Sequence, residues 1–327
     1  MPFMTANSFV GLGIEGTRGT ASSNVKFVPV TGPQITPQQK WLRDDAFRAS
    51  PVDNYGEILG VRHDEYDFKG YVFADTFGVL AKGALGYEAI SGSGTYTHTF
   101  GLYNSPANAS QPPSISIQDF DGSQTFQLLA GQVGDLNVKF TAEGALEYDS
   151  KLMANPFTKI ANPTTSFSTE VFIPAWDLTM TIGGTSTAVT AEGEINIKRN
   201  TAPIFTAQGV NSPYRLFAGP ANVSGKFTFV LEASDPILYN GSSNGYGLTA
   251  GTQAVVLTFT DPASTHTVKF QMSSVQFEMP KRTRGKAYVE VETQFEAVAN
   301  TTDAISGAGA GYSPIQIVTT NSVSAAY

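Results

Sequence analysis

The chain has 327 residues, with 20 Lys and Arg against 28 Asp and Glu, a formal net charge of −8 and no cysteine. The missing thiols exclude disulfides and cysteine-ligated metal or iron–sulfur centres, and the acidic balance argues against a nucleic-acid grip, which needs clustered cations to displace counterions from phosphate. Gly is plentiful and Phe outnumbers Tyr and Trp, long helical runs are missing and apolar runs are far too short to span a bilayer. This favours an all-β chain of many short strands, long enough for two domains. The N-terminus lacks the basic-then-apolar layout of a signal peptide, so the mature chain is expected to be the chain as written.

Residues 1–25 are rich in Gly, Thr, Ser and Ala and read as an arm that cannot offset its own ordering entropy. It is therefore expected to be ordered only against another subunit. The arm contains Gly13-Ile14-Glu15-Gly16-Thr17-Arg18-Gly19-Thr20-Ala21, and Lys26-Phe27-Val28-Pro29-Val30 follows. This opening resembles the tail tube proteins of long-tailed (siphovirus-type) bacteriophages, in the branch with double-length chains, and the order of later segments extends the resemblance over most of the chain.

The resemblance implies a structural virion protein whose subunits stack as rings into a hollow conduit for phage DNA. It implies no enzymatic activity and no cofactor. The implied partners are further copies of the chain, a tape-measure protein, and tail terminator or baseplate proteins, with DNA passing through without specific binding. The implied place is the virion tail, after synthesis in the host bacterial cytoplasm. Ile14, Glu15, Thr17 and Arg18 of the arm are then expected at a boundary between subunits.

Residues 34–60 hold Trp41 with Arg43, Asp44, Asp45 and Arg48 and show no lasting period, so they read as a long loop or extended hairpin. In the resembling family a long loop near this point reaches the adjacent ring, which places Trp41 at an inter-subunit contact. An ordinary surface loop, with Trp41 capping the core edge, is the plainer reading. A strand is predicted over 65–72. Asp75 then stands where an N-cap belongs, and Phe77, Leu80, Ala81, Ala84 and Leu85 follow at helical spacing before Gly86, which predicts one helix. Short strands follow near 95–102 and 114–119, with a turn at Asp121-Gly122.

Residues 114–147 carry the clearest strand grammar. Leu136, Val138, Phe140 and Ala142 alternate with Asn137, Lys139, Thr141 and Glu143, the period of a strand with one buried and one wet face. An echo appears downstream. Phe126-Gln127-Leu128-Leu129-Ala130-Gly131 resembles Tyr214-Arg215-Leu216-Phe217-Ala218-Gly219, and Lys-Phe-Thr recurs after each, which suggests two related β units.

The predicted architecture is all-β, with two tandem sandwich or barrel domains of tail-tube type and one helix flanking the first. It comprises an arm (1–25), a first domain (26–157), a Pro-, Ser- and Thr-rich linker (158–174), a second domain (175–300) and a C-terminal tail (301–327). Strict duplication is weakened by the lack of a clear second helix. The closing strands of the second unit fall near 254–260, 267–279 and 286–299. In the last of these Val289, Val291, Phe295 and Ala297, with Thr293, oppose a face of Tyr288, Glu290, Glu292, Gln294 and Glu296. Alternation forces Glu290, Glu292 and Glu296 into water, and in a conduit such carboxylates suit the lumen because they keep contacts with DNA weak.

Little else carries chemistry. His63, His98 and His266 lack metal-binding spacing, and Asp64, Glu65 and Asp67 beside His63 lack the glycine and loop spacing of a calcium site. No nucleophile elbow or phosphate-cradling loop appears. Lys281, Arg282 and Arg284, with Lys286, form a basic hairpin turn without stacking aromatics, and this turn is expected either as a solvated tip or as a contact to an acidic patch on another subunit. The alternative to a tube subunit is a β-sandwich virion or adhesin module that binds a receptor or carbohydrate.

Overall fold

The structure, a computed structural model, describes residues 3–106, 109–207, 209–231, 251–285 and 287–327. Lys286 and Glu232, which fall in the predicted basic turn and in the continuation of the echo, lie outside the described residues. With 53% of the chain in strands and 4% in helix, the class is mostly β. The strands in chain order are β1 (Phe9–Ile14), β2 (Lys26–Val28), β3 (Thr31–Asp44), β4 (Gly56–Tyr71), β5 (Gly86–Ser93), β6 (Thr95–Leu102), β7 (Ile115–Phe120), β8 (Thr125–Thr141), β9 (Glu147–Ala154), β10 (Thr158–Ile160) and β11 (Leu178–Ile182). They continue with β12 (Thr185–Thr187), β13 (Thr190–Lys198), β14 (Ala202–Ile204), β15 (Arg215–Phe217), β16 (Asn222–Val230), β17 (Gln253–Thr260), β18 (Thr267–Phe277), β19 (Lys281–Thr283), β20 (Glu290–Ala297) and β21 (Gln316–Asn321). Among the described residues one α-helix, α1, spans Phe77–Leu85.

The organising feature is a run of eight antiparallel strands in the order β3-β4-β9-β8-β13-β16-β20-β19. It crosses from the first half of the chain to the second at the β8–β13 ladder, where Val138 stands opposite Ile195 and Leu136 opposite Ile197. Two flanking layers lie behind it, β2-β1-β7-β8-β10 and β5-β6-β21-β18-β17-β11-β12. β8 belongs to both the long run and the first flanking layer. It changes partners near Ala130, whose φ is 57°, and Gly131, where an added Cβ would meet the Ile115 carbonyl at 2.7 Å. The close approach of β7 there leaves room only for glycine.

The buried faces meet in one core drawn from both halves of the chain. Phe77 of α1 packs edge-on to Phe270 of β18 at 6.0 Å, Phe140 of β8 meets Phe259 of β17 at 5.1 Å, and Phe227 stacks on Phe295 at 4.7 Å. Every residue of α1 except Lys82 is buried, and Gly86 closes it at φ 110°. The N-cap is Thr76 rather than Asp75, and it makes no side-chain capping bond. Asp75 is drawn into a polar cluster with Ser168 and His266 instead, and burial raises its carboxyl above the ordinary range.

The expectation that the arm is ordered only by a neighbouring subunit is corrected. Phe9–Ile14 pairs with β7 along its whole length and with β2 on its other edge, and Val10 and Leu12 are fully buried. Its glycines serve close packing rather than floppiness, since a Cβ on Gly11 would lie 2.6 Å from Val25 and one on Gly13 would lie 2.6 Å from Ser22. β21, in the stretch read as a tail, joins β6 to β18. Beyond it the Tyr327 ring sits against Gly78, His98 and Phe100, and its hydroxyl donates to the Asp75 carbonyl at 2.8 Å.

Candidate functional site

The candidate surface is the wet face of the eight-strand run, with its two edges and the hairpin that extends from it. Strict alternation puts the polar half of each strand on one side, and the ladder registers align these residues in rows. One row reads Asp67, Lys151, Asp135, Lys198, and another reads Glu147, Lys139, Glu194, Lys226, Gln294. Unlike charges therefore stand opposite one another across the sheet, each such pair adding a few tenths of a kcal/mol. The Lys139 ammonium lies 3.6 Å from Asp149, Asn137 donates to Glu194 at 2.8 Å, and Thr228 donates to Glu192 at 2.9 Å. A shallow concavity of about 300 Å³ lies between Lys139, Glu147, Glu192, Glu194 and Lys226.

Glu290, Glu292 and Glu296 stand on this same face at its β20 end, while Val291, Thr293, Phe295 and Ala297 are buried beneath. Asn222 donates to Glu296 at 2.9 Å, and Glu292 is opposite Lys281 in the β19 ladder. Among the described residues carboxylates outnumber ammonium groups across the face, and no arginine stands in these rows.

The edges are β3 and β19, each with one paired neighbour among the described residues. Lys281 and Arg282 lie on β19 with Arg284 just beyond, all exposed. β3 and β4 run on past the core as a hairpin whose tip covers residues 45–55. Trp41, Leu42, Ile58 and Phe47 are exposed there, Phe47 completely. The tip is braced by Arg43 with Glu57 at 3.4 Å, and by an Arg48–Asp44 pair.

Ile14, Glu15, Thr17 and Arg18 lie apart from these edges, around β15 and residues 109–114. Ile14 is half-buried against the core and Thr17 is exposed in a turn. Glu15 is buried and accepts from Ser114 Oγ at 2.6 Å, Gly19 N at 2.7 Å and Ala130 N at 2.8 Å, which ties the arm to the kink in β8. Arg18 donates to the Leu216 carbonyl at 3.2 Å.

The histidines are engaged in the fold. His98 is buried between Glu88 Oε1 at 2.7 Å and the Val323 carbonyl at 2.8 Å. Burial acts to raise Glu88, but His98, Lys82 and the Tyr327 N–H outweigh it and hold the carboxyl below its ordinary range. His266 lies 2.9 Å from Glu170, whose carboxyl is raised by burial and by Asp75. Alternation splits the acids beside His63: Asp64 turns inward, accepting from the Phe157 N–H at 2.7 Å, while Glu65 and Asp67 face water. No group of three or more His, Asp or Glu among the described residues is placed to hold a metal ion, and no described helix is long and apolar enough to cross a membrane.

The lysine rows escaped sequence reading because each lysine is unremarkable on its own strand and gains meaning only from the register with its neighbours. Among known protein families, one described as phage tail tube protein matches residues 5–297 of the chain. No curated protein matches it.

Proposed function

Because the chain belongs to the phage tail tube protein family, a structural and non-enzymatic family of the virion tail, we propose that copies of it close into rings. The rings stack into a hollow conduit for phage DNA, with the wet face of the eight-strand run lining the bore. The observation that carries this reading is the run itself, which has one apolar face, one wet face and two edges whose backbone groups lack strand partners among the described residues. Such edges invite pairing, and joining β19 of one copy to β3 of the next closes the sheet and removes them.

The run also supports two tandem tube-like units, 26–157 and 175–300, joined by 158–174. In the first block the sheet order is β3-β4-β9-β8. In the second it is β13-β16-β20 and then the continuous path of β18 into β19. Chain order and sheet order correspond strand for strand, and the short β14–β15 hairpin stands where the long β3–β4 hairpin extends. The described residues of the second block hold no counterpart of α1. Two blocks per chain make a ring of three chains pseudo-sixfold.

Glu290, Glu292 and Glu296 then face the lumen. Trp41 on the hairpin, Lys281, Arg282 and Arg284 at the β19 edge, and Ile14, Glu15, Thr17 and Arg18 at the arm lie at boundaries between copies. A tape-measure protein within the bore and terminator or baseplate proteins at the ends complete the reading. Cryo-electron microscopy of the concentrated protein tests it: hollow tubes with three chains per ring are expected, while monomers alone, or six chains per ring, would refute it.

A further inference from the structure

A cavity of about 480 Å³ opens between the arm turn, α1, residues 109–114 and β15, within the range of a small ligand or a few side chains. Three cations line it, Arg18, Lys82 and Arg215. Two of the carboxylates near them are already engaged. Glu15 accepts from Ser114, Gly19 and Ala130, and Glu88 holds Lys82 at 2.8 Å, while the Tyr327 carbonyl accepts from the same ammonium at 2.6 Å.

The arginines differ. Neither Arg18 nor Arg215 has a carboxylate within ion-pair distance among the described residues. Arg18 Nη1 donates to the Leu216 carbonyl, but Nη2 is buried with no partner among the described residues. Burial, and then the like charge of Arg215, push the Arg18 guanidinium below its ordinary value. Gln132, only 3% exposed, lines the same cavity with its Oε1 buried and unpartnered among the described residues. Orphaned buried donors and acceptors of this kind are costly unless something arrives to satisfy them.

The combination selects a ligand. Two guanidiniums ask for an anion with planar paired acceptors, which a carboxylate supplies. The Gln132 oxygen asks for a donor, which a phosphodiester lacks and a peptide N–H provides. An acidic side chain carried on a polypeptide meets both demands, and a chain of net charge −8 that assembles with itself offers such segments at high local concentration.

We propose that this cavity is a socket for an acidic segment of a second copy of the chain, an inference that rests on the self-assembly reading above. Arg215, at the exposed rim, reaches the incoming carboxylate first, and Arg18 and Gln132 close on it inside.

The test begins with Arg215→Gln, which touches no core residue and should leave the melting temperature of the monomer unchanged. It should raise the critical concentration for assembly about tenfold or more, as the loss of one charge-assisted contact implies; an unchanged value would overturn the socket. In a second arm, Arg215→Lys protein is mixed in isotope-labelled and unlabelled form and treated with a carbodiimide. An isopeptide bond from position 215 to a carboxylate of the other isotopic form supports the socket, whereas bonds confined to one copy, or none, overturn it. Wild-type protein that forms no tubes would defeat the conduit reading, and the isotope-mixed cross-link would still decide the socket in whatever oligomer forms.

Discussion

At the scale of single residues, two carboxylates show how the same group is put to opposite uses. Glu15 accepts from three donors at once, and the Ala130 N–H among them sits at a left-handed kink in β8. Glu15→Ala orphans these donors in a buried place and should cost about 2–4 kcal/mol in urea unfolding. Asp119 is nearly buried on β7 beside Tyr66, and burial raises its carboxyl to about 6, with Asp121 adding to the rise. Its folded value lies above the unfolded one, so between about pH 4 and 6 the folded state holds a proton that the unfolded chain has released. Stability attributable to this group therefore falls as pH rises through that window. Asp119→Asn should gain about 2–3 kcal/mol over wild type above pH 6, with the gain vanishing below pH 4. Parallel urea titrations of the two proteins at pH 4 and 7.5 check this, and a difference independent of pH would contradict it.

At the scale of elements, the arm and the hairpin make contrasting cases. Removing residues 3–21 deletes β1, uncovers Ile115 and Ile117, and removes two buried apolar side chains that each contribute about 1.5–3 kcal/mol. The truncated protein should melt far below wild type or fail to fold, and an unchanged melting curve would count against the pairing seen here. The hairpin carries its apolar groups outward, so Trp41→Ser with Phe47→Ser should shift monomer stability by no more than about 0.5 kcal/mol while abolishing assembly, as read by melting and negative-stain microscopy. The legibility of each element followed from where its pattern was generated. β20 was readable because a single packed face imposed a single period, as Val291 to Ala297 show, and α1 because apolar residues at helical spacing from Phe77 to Leu85 end at Gly86. The arm was not, because Gly11 and Gly13 look permissive in isolation and are dictated by neighbours that sequence does not display. The echo between Phe126 and Tyr214 pairs β8 with β15 and β16, whereas sheet order pairs β8 with the β18–β19 path. The echo and the two-unit correspondence proposed above therefore align the halves differently. Arg215 was legible only as part of the echo, because its significance depends on Arg18, 197 positions earlier.

At the scale of the whole molecule, the proposed bore would set what the charge on the long sheet must do. A lone ammonium in a bore would hold a phosphate, but here the cations of the wet face are lysines set opposite carboxylates, and the β20 end adds Glu290, Glu292 and Glu296. Fixed neighbours of opposite sign neutralise each lysine locally, so a passing phosphate meets no site where it could displace a counterion and stay. Changing the three glutamates to Lys leaves the apolar side of β20 untouched, and sets Glu292→Lys against Lys281 at a cost of a few tenths of a kcal/mol. Tubes should therefore still form. Their bore, however, would now carry a stripe of unpaired ammonium groups from every copy. Such tubes should retain short duplex DNA at about 50 mM salt and release it near 200 mM, because affinity falls steeply with salt for every phosphate engaged. Wild-type tubes should retain none at either concentration, and particles built from the variant should deliver DNA slowly or stall. Fluorescent duplex added to tubes with capped and uncapped ends would locate the retained DNA. Retention that persists when both ends are capped would put the altered face on the outer wall and overturn its assignment to the bore.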